Sequence, residues 1–258
     1  MKVVLASDIR DLGQKAARLG AESITQAIND RGSASIVLAT GASQFEVMKA
    51  LCERTDIEWR KVTAFHLDEY IDLPETHPAS FRRYLKERFL ARVSTIGAFH
   101  FISGNSADLS DELTRLDRLI SATPTDVVFA GIGENSHLAF NDPPAEFADK
   151  KGFKIVSLDL RCRAQQHGEG WFPKLQDVPQ RAITMTIPQI MDGGQLIVSV
   201  SGGRKAEAVR DSLEGPITPN CPASILRRHP ACTLFIDDAA AQKRLRYTEC
   251  FVLSVKPE

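Results

Sequence analysis

The feature that most constrains this chain is a unit that recurs along it: a short apolar run, a turn of small residues, then a helical pattern. Ser35-Ile36-Val37-Leu38 runs into Ala39-Thr40-Gly41-Ala42-Ser43, and Phe45, Val47, Met48 and Leu51 follow at helical spacing. Leu196 to Val200 runs into Ser201-Gly202-Gly203-Arg204-Lys205, then a helix through Val209 and Leu213. Unbroken apolar runs of this length suit strands buried on both faces. Further strands are expected at Val3 to Ala6, Val62 to Leu67, Phe99 to Ile102, Val127 to Ala130, Lys154 to Leu158, Ala182 to Thr186 and Thr233 to Ile236. Helical periodicity covers Asp8 to Asp30, Ser80 to Arg92 and Asp108 to Ala122, with short helices at Ile187 to Met191 and Ala223 to Arg228. Strand–helix alternation with short links predicts an α/β fold: a doubly wound, mostly parallel, Rossmann-like sheet flanked by helices. With 258 residues, 43% of them apolar, and no linker-like stretch, the prediction is a single domain over residues 1–258.

Basic and acidic residues balance, 32 against 33, so neither nucleic acid nor an anionic membrane is expected as the main partner. No apolar stretch approaches the ~20 residues of a membrane span. The start, Met1-Lys2-Val3-Val4-Leu5-Ala6-Ser7-Asp8, lacks a leader signature. Five scattered cysteines without CxxC spacing argue against a disulfide framework or structural zinc. The expectation is a reduced, cytoplasmic protein.

Ligands of such sheets sit beyond the carboxyl ends of the strands, so the polar residues there are the candidates. Thr40, Gly41, Ala42 and Ser43 form either an anion cradle of backbone N–H groups or an ordinary helix start. Arg204 and Lys205 place two cations at a helix N-terminus, which an anionic ligand would explain; the alternative is a surface basic pair. Asp68 and Glu69 are either a general base and its neighbour or turn acids. Gly131-Ile132-Gly133-Glu134-Asn135-Ser136-His137 turns from a strand into a titratable cluster with Asp142. Ser80 to Arg92 carries many basic positions and is read as a solvated face. Arg161 to Gly170 is read as a mobile loop or short helix near the site.

Some chemistries are set aside. The Gly131-Ile132-Gly133 turn lacks the third glycine of a dinucleotide fingerprint, since position 136 is serine, and there is no P-loop. A metal on His137 and Asp142 has neither HExxH nor two-histidine support. No metal and no organic cofactor is expected.

Together these segments resemble the glucosamine-6-phosphate deaminase (isomerase) family, within the wider group that includes 6-phosphogluconolactonases. Leu38 to Ser43 resembles its phosphate loop, and Phe65-His66-Leu67-Asp68-Glu69-Tyr70 its catalytic-aspartate segment. Gly131 to Pro143 resembles its catalytic-histidine loop, and Gly203-Arg204-Lys205-Ala206 its phosphate-binding lysine. The resemblance implies a small sugar-phosphate substrate, released as a ketose phosphate and ammonia. It implies Asp68 as the base that moves a proton between C1 and C2, and His137 as the group that opens the ring. Asp142 and Asn135 would support His137, while Thr40, Gly41, Ala42, Ser43, Glu69 and Lys205 would bind substrate. Homo-oligomerisation is expected only by analogy. A lactonase, or a sugar-phosphate sensor without turnover, is the alternative function.

This chain departs from the family pattern in three places. Asn135 and Ser136 stand where the family has aspartate and glycine, and Asp142 where it has glutamate. The family's phosphate arginine is missing near Gly170-Trp171-Phe172, leaving Arg161, Arg163, Lys174 or Arg204 to supply its charge.

Overall fold

A computed structural model describes residues 1–93, 95–243 and 253–254. Helix α1 (Ile9–Arg31) is set at both ends by local chemistry. The Asp8 carboxylate accepts the N–H groups of Arg10 and Asp11, and Gly32, at φ 80°, closes the helix onto the Ile28 carbonyl. These are the N-cap and left-handed C-cap that free helix ends need.

The main sheet contains β1 (Lys2–Ala6), β2 (Ala34–Leu38), β3 (Val62–His66), β5 (Ala98–His100), β6 (Val127–Ala130), β9 (Gln195–Val200), β10 (Cys232–Asp237) and β11 (Leu253–Ser254). A smaller sheet contains β4 (Asp68–Tyr70), β7 (Phe153–Ser157) and β8 (Arg181–Met185). The main order is β11-β1-β10-β9-β6-β2-β3-β5. All of its pairings are parallel except β11 on β1. The doubly wound expectation therefore holds for this sheet. From β2 the chain steps outward through β3 to β5, then returns to place β6 on the other side of β2. The β2/β6 boundary is thus the topological switch point, where such sheets open a crevice.

Strand alternation divides the core. Ile36, Leu38, Val127 and Phe129 pack with α1, α2 (Phe45–Cys52) and the helix starting at α3 (Phe81–Leu85). Val37, Val128 and Ala130 pack on the opposite face, which is also covered, in part by α4 (Leu109–Ser121).

The 154–158 and 182–186 strands leave the main sheet. With β4 they make the second sheet, antiparallel and ordered β4-β8-β7. Leu67 is the joint: its N–H donates to Leu38 in the large sheet and its carbonyl accepts from Met185 in the small one. β4 begins one residue past the end of β3, so the chain changes sheets just before Asp68. The 161–170 segment is mainly helical, as α5 (Leu160–Gly168). The remaining helices are α6 (Ile187–Met191), α7 (Ala206–Glu214) and α8 (Asp238–Ala241). Among the described residues no helix is long and apolar enough to cross a membrane.

Candidate active site

The loops after four neighbouring strands, β9, β6, β2 and β3, meet over a cavity of about 260 Å³. It is lined by Thr40, Gly41, Ala42 and Ser43 after β2, Asp68 after β3, His137 after β6, and Arg204 and Lys205 after β9. Residues over 160 positions apart are brought together because parallel strands all deliver their carboxyl ends to one edge.

The first loop is pinned from below. Ser43 Oγ donates to the Ser199 carbonyl at 2.9 Å, and Gln44 Nε2 to the Ala130 carbonyl at 3.0 Å. These bonds tie the β2 loop to β9 and β6. Across from it, Gly202 takes φ 88°, a conformation that disfavours side chains. Its N–H is held by both Asp237 carboxylate oxygens at 3.1 Å. Lys205 is largely buried at the start of α7, and burial pulls its ammonium below the ordinary lysine value. Such a cation gains from an anionic ligand that restores its lost solvation.

Asp68 is 8% exposed. Its carboxylate makes no hydrogen bond among the described residues. Burial, then the charge of Glu69, pushes it up to about 8. This is a base of high proton affinity beside an open cavity.

Glu69, expected to bind substrate, is placed elsewhere. Successive strand residues face opposite ways, and its side chain is fully buried away from the cavity lining. It accepts from the N–H groups of Tyr70, Phe81 and Arg82, from Ser80 Oγ and from Arg82 Nε. Glu69 therefore ties β4 to the start of α3. The basic face read as solvated is corrected at the same point: Arg82 is 6% exposed and also binds Asn105 and the Leu73 carbonyl. A buried carboxylate attracts a buried cation, which residue counting along a helix does not reveal.

The histidine loop is tight. A side chain at Gly133 would begin 2.3 Å from the His137 ring, so only glycine lets the imidazole lie there. Ser136 adopts φ 68°, which explains a glycine preference at that position in relatives. Asn141 Nδ2 anchors the loop to the carbonyls of Leu138 and Met185. His137 Nδ1 lies 3.2 Å from Asp142 Oδ1, without an aligned hydrogen bond. Burial acts to raise Asp142. The contacts of His137, Asn135 and the Asp159 N–H outweigh it and hold the carboxyl below its ordinary value.

His137, Asp142 and Cys162 each offer one metal-ligand atom, all within 4.8 Å of one another. Both Asp142 oxygens already accept N–H groups, from Asn135 and Asp159. Cys52, Cys162, Cys221 and Cys232 are unpaired, and Cys250 lies outside the described residues.

Of the four cations considered for the missing arginine, only Arg204 lines the cavity. Its Nε lies 3.3 Å from Glu134 Oε1. The Arg163 guanidinium is committed to the carbonyls of Leu175 and Val178. Sequence reasoning did not single out Gln165, Gln166, Glu169 and Trp171 as site residues, yet they line the cavity. Their signal was the N-cap Asp159, whose side chain accepts the Cys162 N–H; it starts a helix that carries Gln165 and Gln166 to the opening.

The topology and the site define a class: an α/β protein with an acid–base cavity at the switch point of a parallel sheet. The family of glucosamine-6-phosphate isomerases and 6-phosphogluconolactonases matches residues 7–235, and the chain belongs to it. Glucosamine-6-phosphate deaminase from Pseudarthrobacter chlorophenolicus is 34% identical, over 93% of this chain and 92% of its own. Glucosamine-6-phosphate deaminase 1 of Bacillus subtilis is also 34% identical, over 95% and 100%. A solved monomeric glucosamine-6-phosphate deaminase superposes with a TM-score of 0.84 at 33% identity, covering 95% of this chain and all of that one. A 6-phosphogluconolactonase from Shewanella baltica shares the fold, with a TM-score of 0.76 at 19% identity, covering 91% and 97%.

Proposed function

We propose that this chain converts glucosamine-6-phosphate, or an epimer such as galactosamine-6-phosphate, into the matching ketose phosphate and ammonia. The observation that carries this reading is Asp68. It is a buried carboxylate with raised proton affinity, lacking a hydrogen-bonded partner, on the same cavity as His137 and Lys205.

In this reading the phosphate lies against the Thr40–Ser43 loop and Lys205, with Arg204 as the second cation. His137, supported by Asp142, takes the proton of the O1 hydroxyl and returns one to the ring oxygen, which opens the sugar. Asp68 then takes the C2 proton and delivers it to C1. The C2 amine becomes an imine, water adds at C2, and ammonia leaves. One water is consumed per turnover. An acid with a proton affinity near neutral suits both halves of the Asp68 transfer.

All the named residues come from one chain, and the solved relative is described as monomeric. Turnover by a single copy is therefore part of the reading. A reducing cytoplasm suits the unpaired cysteines.

The test is ammonia release from glucosamine-6-phosphate and galactosamine-6-phosphate, beside hydrolysis of 6-phosphogluconolactone. Ammonia from either amino sugar is the expected result. Lactone hydrolysis alone would assign the site to the other branch, with His137 activating water. Binding without turnover of all three would make the protein a sensor.

A further inference from the structure

We propose that Asn135, Asp142 and Asp159 form a carboxylate–amide–carboxylate clamp that positions His137 and fastens its loop to α5. Asp159 is then a positioning residue of the site, and Asn135 is the amide the clamp requires. The positioning role rests on the deaminase reading; the clamp itself does not.

The geometry is specific. Asn135 Nδ2 donates to Asp142 Oδ1 at 3.0 Å and to Asp159 Oδ2 at 3.3 Å. Its own oxygen accepts the His137 N–H at 3.3 Å. The Asp159 N–H donates to Asp142 Oδ2 at 3.0 Å, and Asp159 Oδ1 accepts the Cys162 N–H at 2.6 Å. Both hydrogens of one amide therefore separate two carboxylates that would otherwise face each other. A second tie runs alongside, from the Glu134 N–H to Gln165 Oε1 at 2.8 Å. Through these bonds the loop that holds His137 and the helix that brings Gln165 and Gln166 to the cavity move as one piece.

This inverts the expectation drawn from the family pattern. Aspartate at 135 offers no donor. In this chain it would sit beside two carboxylates at hydrogen-bonding distance, three acids with nothing between them, and like charges at that distance repel strongly. Restoring the family residue should therefore damage the site. The clamp needs one amide and is indifferent to whether it stands at 135 or 159. Asparagine at 159 keeps an oxygen for the Cys162 N–H, so α5 keeps its cap.

The experiment compares the parent with N135D, D159N and N135D/D159N. Three readouts are taken: Tm at pH 8, the His137 ring signals by NMR, and kcat and KM on glucosamine-6-phosphate. N135D is expected to lower Tm by roughly 2–4 °C and kcat by about tenfold, with KM within about twofold. The His137 signals should move with it. The double variant should recover most of all three. Losses that simply add in the double variant, or an N135D chain as stable as the parent with unmoved His137 signals, would reduce Asp159 to a helix cap and overturn the proposal. Should no variant or parent release ammonia, the deaminase reading fails, while rescue of Tm and of the His137 signals still decides the clamp.

Discussion

Asp68 and Asp142 are both largely buried carboxylates on one side of the same sheet, and their proton affinities move in opposite directions. Asp68, with no hydrogen-bonded partner, is pushed up to about 8. Asp142 touches the His137 ring and accepts from Asn135 and the Asp159 N–H, and it stays below the ordinary value. Burial acts on both alike; what differs is the supply of donors. A carboxylate given N–H groups remains an anion that can orient a histidine, and one denied them becomes a base. The site thus holds one acid for each role without any difference in residue type.

The largest effect that would break this contrast comes from Asp68→Asn. We expect kcat for ammonia release to fall on the order of 10³-fold, with KM changed only a few-fold. A variant that kept most of its kcat would remove Asp68 from the chemistry. The same change carries a stability signature of fixed sign. The folded state holds the Asp68 proton more tightly than the unfolded chain, from the ordinary 3.8 up to about 8. In that window the folded state binds more protons, so stability falls as pH rises. The Asn variant escapes this loss. Its Tm should exceed the parent's by several degrees at pH 8, and the two should converge near pH 4. A Tm difference that is flat with pH would show that Asp68 is not held protonated by burial.

Glu69 sharpens the contrast, because it is a neighbour of Asp68 that was given donors. Glu69→Ala leaves Arg82 and the start of α3 without their acceptor. It should cost roughly 3 kcal/mol in urea denaturation. A loss under about 1 kcal/mol would mean that the Glu69 cluster contributes little to holding β4, and with it Asp68, in place. The smallest expected effect is at Ser136, where φ is 68°. Ser136→Gly should stabilise by about 1 kcal/mol, seen as a rise in Tm; a fall would show that the Ser136 side chain does more than tolerate a strained backbone.

Much of the fold was legible because its signals are local. The apolar runs at Ser35 to Leu38 and Leu196 to Val200 are bounded by small residues, and strands buried on both faces need that pattern. The loops after them could be named as site loops for the same reason. Less legible was the smaller sheet. Lys154 to Leu158 and Ala182 to Thr186 read as strands, but nothing local says that they pair with Asp68–Tyr70 and not with the main sheet. Helix α3 misled in one respect, since Arg82 sits in a basic run yet points into the protein toward Glu69. Asp159 was passed over because an N-cap aspartate looks the same whether or not its second oxygen meets a distant asparagine.

By itself the sequence determined the strand–turn–helix rhythm, the glycines that let His137 and the phosphate loop come close, and the set of acids, histidine and lysine available for chemistry. These follow from backbone sterics and periodicity, which act over a few residues. Only the tertiary structure decided which acid does what. Asp68 and Glu69 differ by one methylene and one position, and strand alternation sends one to the cavity and the other to five donors. Asn135, a departure from the family by sequence, becomes a bridge once Asp142 and Asp159 close on it. Proton affinity and hydrogen-bond supply depend on what the rest of the chain brings to within a few ångströms, and that distance is set by the fold.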